Sequence, residues 1–191
     1  MSVFCIITVM LECLTTFVAT LGVHNVFLFH LYTPIEFAFV VFIFVYFFKG
    51  KLTSLGYFGI ILFFLFCIVN VIFFESLNDF NSIPRGFEGL IVICLSIYFF
   101  FRLFIADEFI HLMKYPYFWL FSGWLLYFSG TFFLFIYSSK NAMGINFTYL
   151  IIHSVLNIFL NIVYAYSLWL GNKKTFAVTP EKLMEKVNGL K

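Results

Sequence analysis

The sequence predicts an all-α membrane protein, a bundle of about six transmembrane helices with both termini in the cytoplasm. Three observations carry that reading. The chain's 191 residues are 63% hydrophobic and only 10% charged, where average soluble chains carry roughly 25% charged residues. A soluble domain of this length could not hide that much apolar surface. The apolar residues also fall in continuous runs near the ~20 residues that cross a bilayer core, not in the alternation of a membrane strand. Finally, Lys and Arg sort by side once the spans are drawn.

The spans fall at roughly 3–23, 34–49, 55–75, 86–105, 117–137 and 147–170. The first begins almost at the chain start, with no positive n-region and no small-residue cleavage site, so it does not read as a signal peptide. The second opens on Thr33-Pro34-Ile35-Glu36, the pattern of a capping box with proline in the first turn. It is short for a bilayer and lengthens only by borrowing from Val26 to Tyr32. The link Ala106 to Lys114 reads as a short interfacial helix, with Asp107, His111 and Lys114 on one face. Residues 1–171 thus form the bundle, and 172–191 a short cytoplasmic tail with a helix start at Thr179-Pro180-Glu181.

With six spans, nine Lys and Arg residues share one side: Lys49, Lys51, Arg102, Lys114 and the tail lysines 173, 174, 182, 186 and 191. Arg85 and Lys140 share the other. Nine against two places both termini in the cytoplasm, tail inward. Cysteine labelling in intact cells checks the orientation. A probe at Asn141 is expected to react from outside, and one at Asn188 to stay protected. Protection at 141 with labelling at 188 would reverse the topology.

Composition excludes several function classes. No basic face exists, so nucleic acid is not expected as a partner. Cys5, Cys13, Cys67 and Cys94 all sit in apolar runs and read as small hydrophobes. Glu108 and His111 have Glu-x-x-His spacing without a second copy, so no metal is expected there. The phosphate loop, the nucleophile elbow, the zinc-protease pair and the dinucleotide glycine set are missing, so no cofactor and no catalytic residue is assigned. The 32 phenylalanines are what an AT-rich genome favours and mark no cofactor box.

Polar groups inside apolar spans are costly and raise a functional hypothesis by default. Glu12 lies near the middle of the first span, either bonded to a neighbouring helix or serving a ligand. Glu36 is either a plain cap or a carboxylate at the mouth of a membrane-embedded pocket. Glu88 lies a turn or so inside the fourth span, three residues after Arg85, which makes a local pair the bland alternative. In the sixth span Asn146, His153, Asn157, Asn161 and Tyr164 share a stripe about 80° wide at helical spacing. That stripe is either interhelical glue or the wall of a polar cavity. The fifth span offers Ser122, Gly123, Ser129 and Gly130 for close helix approach, with Tyr127 placed to reach inward between them. His153 lies seven residues into its span, ~10 Å down from the same face as Glu36 and Glu88. The expectation is one outward-facing cavity, with Glu12 at its floor, His153 and Asn157 on one wall, and Glu36 and Glu88 toward the rim; Asn161 and Tyr127 complete the candidate ligand-binding set.

A weak internal repeat runs through these spans. Glu36 to Phe48 aligns without a gap on Glu88 to Phe100, matching Glu36/Glu88, Val40/Val92 and the Tyr-Phe-Phe triplets that end each run. It suggests a duplicated helix hairpin in parallel orientation.

His24 to Phe37, with its Tyr32-Thr33-Pro34-Ile35-Glu36-Phe37 end, resembles the opening of a group of uncharacterised bacterial multi-span proteins. Phe118-Trp119 through Gly123, Tyr127 and Gly130 resembles that group's Phe-Trp-x-x-x-Gly-x-x-x-Tyr-x-x-Gly span, and Asn157 to Trp169 its Asn-rich last span. Similar membrane modules precede some histidine kinases, so the resemblance implies a receptor-like, sensory role with a small or lipidic ligand in the outer half. Family members carry one more helix before the position of Glu12, and no kinase follows Lys191 here, so signalling would need a separate partner at the tail. Alternatives stay open: a small transporter of repeated hairpins working as a homo-oligomer, or a membrane-embedded hydrolase or transferase using Glu and His. Membrane lipid is a partner under every reading.

Overall fold

The computed structural model describes residues 7, 10, 14, 17–18, 20–21, 26–48, 51–79, 81–105, 109–140 and 147–172. Its elements are α1 (Phe27–Phe47), α2 (Lys51–Phe73), α3 (Ser82–Ile105), a 3₁₀ turn (Phe109–Lys114), α4 (Pro116–Lys140) and α5 (Phe147–Asn172). All five α-helices are long and apolar enough to cross a membrane, and no strand occurs among the described residues. Most of the first expected span, residues 106–108 and the tail after 172 lie outside the described residues.

Two expected starts move. α1 begins at Phe27, so Thr33, Pro34 and Glu36 lie inside the helix and form no capping box. The reason is the membrane: backbone groups there must be satisfied within the segment, so the helix continues back through the proline. Pro34 removes the N–H that would serve the His30 carbonyl, and side-chain donors gather one residue earlier, on the Phe29 carbonyl. The Thr33 hydroxyl donates to the Phe29 carbonyl at 2.9 Å, and the Asn81 amide reaches the same oxygen at 3.3 Å. The borrowed residues give α1 21 residues, enough to span.

α3 starts at Ser82, four residues before the expected 86. Pro84 falls in its first turn, where a missing N–H costs nothing. The cap comes from a distant residue, Glu75, which follows α2. Its carboxylate accepts from the backbone N–H groups of Ser82 and Ile83 at 3.2 Å and from the Ser82 hydroxyl. A negative charge at a helix N-terminus is favoured by the dipole. Glu75→Ala is expected to lower stability by about 1–2 kcal/mol, measured by thermal unfolding in detergent. A loss below a few tenths would show that water serves these amides as well.

The link before α4 is a 3₁₀ turn rather than an interfacial α-helix. A six-residue stretch between two spans is too short to gain much from α-helical bonding.

The chain divides into two compact units, Met1–Glu88 with Phe135–Gly144, and Gly89–Leu134 with Ile145–Lys191. In the first, α1 and α2 form an antiparallel hairpin, with Phe37 stacked on Phe63 at 4.0 Å and Phe42 edge-on to Tyr57 at 5.5 Å. α1 is the more enclosed helix, with 56% of its span buried against 17% for α2. That contrast leaves most of α2's surface uncovered by the described residues.

In the second unit, Phe99 of α3 stacks on Phe121 of α4 at 3.9 Å. α4 and α5 approach closely at the expected glycines. A Cβ on Gly123 would meet Val163 at 2.8 Å, and one on Gly130 would meet Leu156 at 2.9 Å. Small residues let membrane helices gain dispersion contact where no hydrophobic drive exists.

Candidate functional site

Polar residues gather in the first unit, where α1 begins, α2 ends and α3 begins. Arg85 is the hub. Its guanidinium Nη1 donates to Glu36 Oε2 from α1 and, at 2.7 Å, to Glu88 Oε2 one turn further along α3. The Tyr32 ring lies 5.4 Å from the guanidinium carbon, within cation–π range. Glu36 and Glu88 are 1% and 0% exposed, and Arg85 is buried with them. Taking these charges out of solvent costs several kcal/mol per ion, which only close pairing offsets.

Around this triad the hydrogen bonds continue. Asn81 donates to the Thr33 hydroxyl at 2.8 Å, and Thr33 lies one turn from Glu36. Asn70 near the end of α2 donates to Glu75 Oε2 at 2.9 Å. His30 Nε2 meets the Asp79 carbonyl at 2.9 Å, tying the connection 74–81 back onto α1. That carbonyl can only accept, so Nε2 carries a proton and donates.

In the same connection the Asp79 carboxylate accepts from the Ser76 hydroxyl at 2.8 Å and the Ser76 N–H at 3.0 Å. These two bonds hold its carboxyl below the usual carboxylate range, with a smaller push from His30. A depressed folded pKa means that the unfolded turn binds the extra proton. The turn's stabilisation is therefore complete above the ordinary value of about 3.9 and is lost as pH falls through the folded value. Amide exchange in 74–81 is expected to be slower in the wild type than in Asp79→Ala at neutral pH. The two should converge as pH falls through the lowered folded pKa, and a pH-independent difference would refute the carboxylate's role.

The expected site residues divide between the two units. Glu36 and Glu88 are brought together by one arginine, so Arg85 is more than the local partner of Glu88. In the second unit, Tyr127 is 2% exposed, and its hydroxyl lies 3.4 Å from His153 Nε2. Asn157 and Asn161 are half-buried beside it on α5. Tyr164 accepts from Trp124 Nε1 at 2.8 Å, and Ser167 donates to the Pro116 carbonyl at 2.8 Å. These two bonds act as glue between α4 and α5. Glu12 and Asn146 lie outside the described residues. No group of three or more His, Cys, Asp or Glu side chains able to hold a metal occurs among the described residues.

Sequence reasoning missed His30, Asn70, Glu75 and Asn81. Asn70 and Glu75 had a readable signal, since polar groups at the end of an apolar run deserve the same question as those inside it. His30 and Asn81 sat in stretches assigned to loops. No protein-family model, curated protein or solved structure matches this chain.

Proposed function

We propose that the chain is a receptor-like, sensory protein of the bacterial inner membrane that holds a small or lipidic ligand in the outer half of its helices. The observation that carries this reading is the buried Glu36–Arg85–Glu88 triad. Ionisable groups at membrane depth are rare and mark functional pathways by default. The triad sits at the end of α1–α3 that the Lys and Arg count assigns to the outside. The connection 74–81 strapped over that end by His30 and Asn81 gives an outer event something to move. A separate signalling partner would then read the cytoplasmic face near 109–114 and the tail, consistent with the resemblance to membrane modules that precede histidine kinases.

A specific observation favours the transporter of repeated hairpins as second reading. The aligned positions match in burial: Val40 and Val92 are both 0% exposed, and Phe47 and Phe99 both 1%. One experiment separates the two. The full chain is placed in lipid nanodiscs, and amide exchange at 109–114 is compared between wild type and Glu88→Gln. A sensor is expected to change that exchange at least about twofold, the scale of a ~0.4 kcal/mol population shift. Unchanged exchange, together with cation flux into proteoliposomes above that of empty vesicles, would replace sensing by transport.

A further inference from the structure

The first unit is short of donors. Among its described residues, four buried side-chain atoms have no hydrogen-bond partner: Glu88 Oε1, Asn70 Oδ1, Asn81 Oδ1 and His30 Nδ1. The three oxygens among them are acceptors. The amide orientations are not arbitrary, because Asn70 Nδ2 faces a carboxylate and Asn81 Nδ2 faces a carbonyl, neither of which can donate. The charge is also uneven. Counted as ionised, the triad sets two carboxyl groups against one guanidinium, and the Glu75 carboxyl already accepts from the N-terminal amides of α3. A buried unsatisfied acceptor costs about 1–3 kcal/mol, more when charged. An anion would worsen both imbalances, and a neutral apolar ligand would relieve neither.

We propose that this cluster binds one small monovalent cation, with Glu88 Oε1 and Asn70 Oδ1 among its ligands. The two residues are close in depth. Phe66, one turn below Asn70 on α2, packs edge-on at 5.2 Å against Phe87, the neighbour of Glu88 on α3. Glu88, Asn70 and Asn81 are all at least nine-tenths buried, so the oxygens are shielded from bulk water. Hard oxygen ligands suit an alkali ion or ammonium. The absence of a cluster of three carboxylate, imidazole or thiol groups among the described residues argues against a transition metal. This assignment names the ligand class of the site proposed above, and rests on that reading of where the ligand sits.

The test is thermal unfolding of the full-length protein in nanodiscs at fixed pH and fixed ionic strength. N-methylglucamine chloride is replaced stepwise by sodium, potassium or ammonium chloride. At least one small cation is expected to raise Tm saturably, by about 5 °C at a hundredfold excess over its Kd. Glu88→Gln, which leaves Arg85 and Glu36 as a neutral pair, is expected to lose the salt response and to unfold near the cation-loaded wild type. Asn70→Ala keeps every charge and is expected to weaken the response about tenfold in concentration. If Glu88→Gln does not fold, calorimetric titration of the same chlorides into wild type decides by direct binding. A Tm that ignores all three salts but moves with pH overturns the proposal in favour of a proton. A Tm that ignores both leaves buried water as the occupant and overturns it equally. Cation binding without any response at 109–114 keeps this site and removes the sensory reading. A response at 109–114 without cation binding does the reverse.

Discussion

Arg85→Met is expected to destabilise the protein by about 3–5 kcal/mol, because it leaves the Glu36 and Glu88 carboxylates buried without their counter-charge. The loss is mostly a penalty for orphaned charge and does not equal the worth of the triad. The combined variant Arg85→Met, Glu36→Gln, Glu88→Gln is therefore expected to recover most of it, since a buried ionic group replaced as a whole by neutral side chains is often near neutral in cost. Unfolding of each variant in detergent, with the wild type as reference, gives both numbers. An Arg85→Met protein within about 1 kcal/mol of wild type would mean that the carboxylates reach water. The triad would then be a surface feature, and the outer site would lose its main support.

Trp124→Ala is expected to cost a similar amount, about 3–5 kcal/mol, in the second unit. The indole is 0% exposed and lies edge-on to Phe121 at 5.1 Å, so its removal leaves a cavity between α4 and its neighbours. Trp124→Phe keeps most of the ring and removes only the bond to the Tyr164 hydroxyl, with an expected loss of about 1 kcal/mol. The ratio between the two variants separates packing from hydrogen bonding. Equal losses would make the Trp124–Tyr164 bond the dominant element of that core. In that case the α5 polar stripe would be structural along its inner end.

Some of this architecture was legible from local pattern alone. Uninterrupted apolar runs identify spans because lipid forces each segment to satisfy its own backbone. The glycines at 123 and 130 announced a close helix contact, and α5 meets them with Val163 and Leu156. Tyr127 and His153, both expected inward, do meet. Helix starts were read less well. Thr33-Pro34-x-Glu36 has the spacing of a capping box, yet the helix passes through it, because a water-exposed end is where that pattern has its usual meaning. At α3 the cap is Glu75, seven positions before Ser82 and on the far side of a turn, which no local window reveals.

The amino-acid sequence by itself determined the solvent of this protein, the class of its elements and the residues that bear the burden of being polar in an apolar phase. Those follow from transfer free energies and periodicity, which act position by position. Partner choice was decided only by the tertiary structure. Glu36 and Arg85 stand 49 positions apart, and nothing in either neighbourhood specifies the other. Arg85 could have served Glu88 alone, one turn away. It serves both because α1 and α3 begin at the same end of the first unit, where two carboxylates and one guanidinium must settle their charges with few other donors in reach.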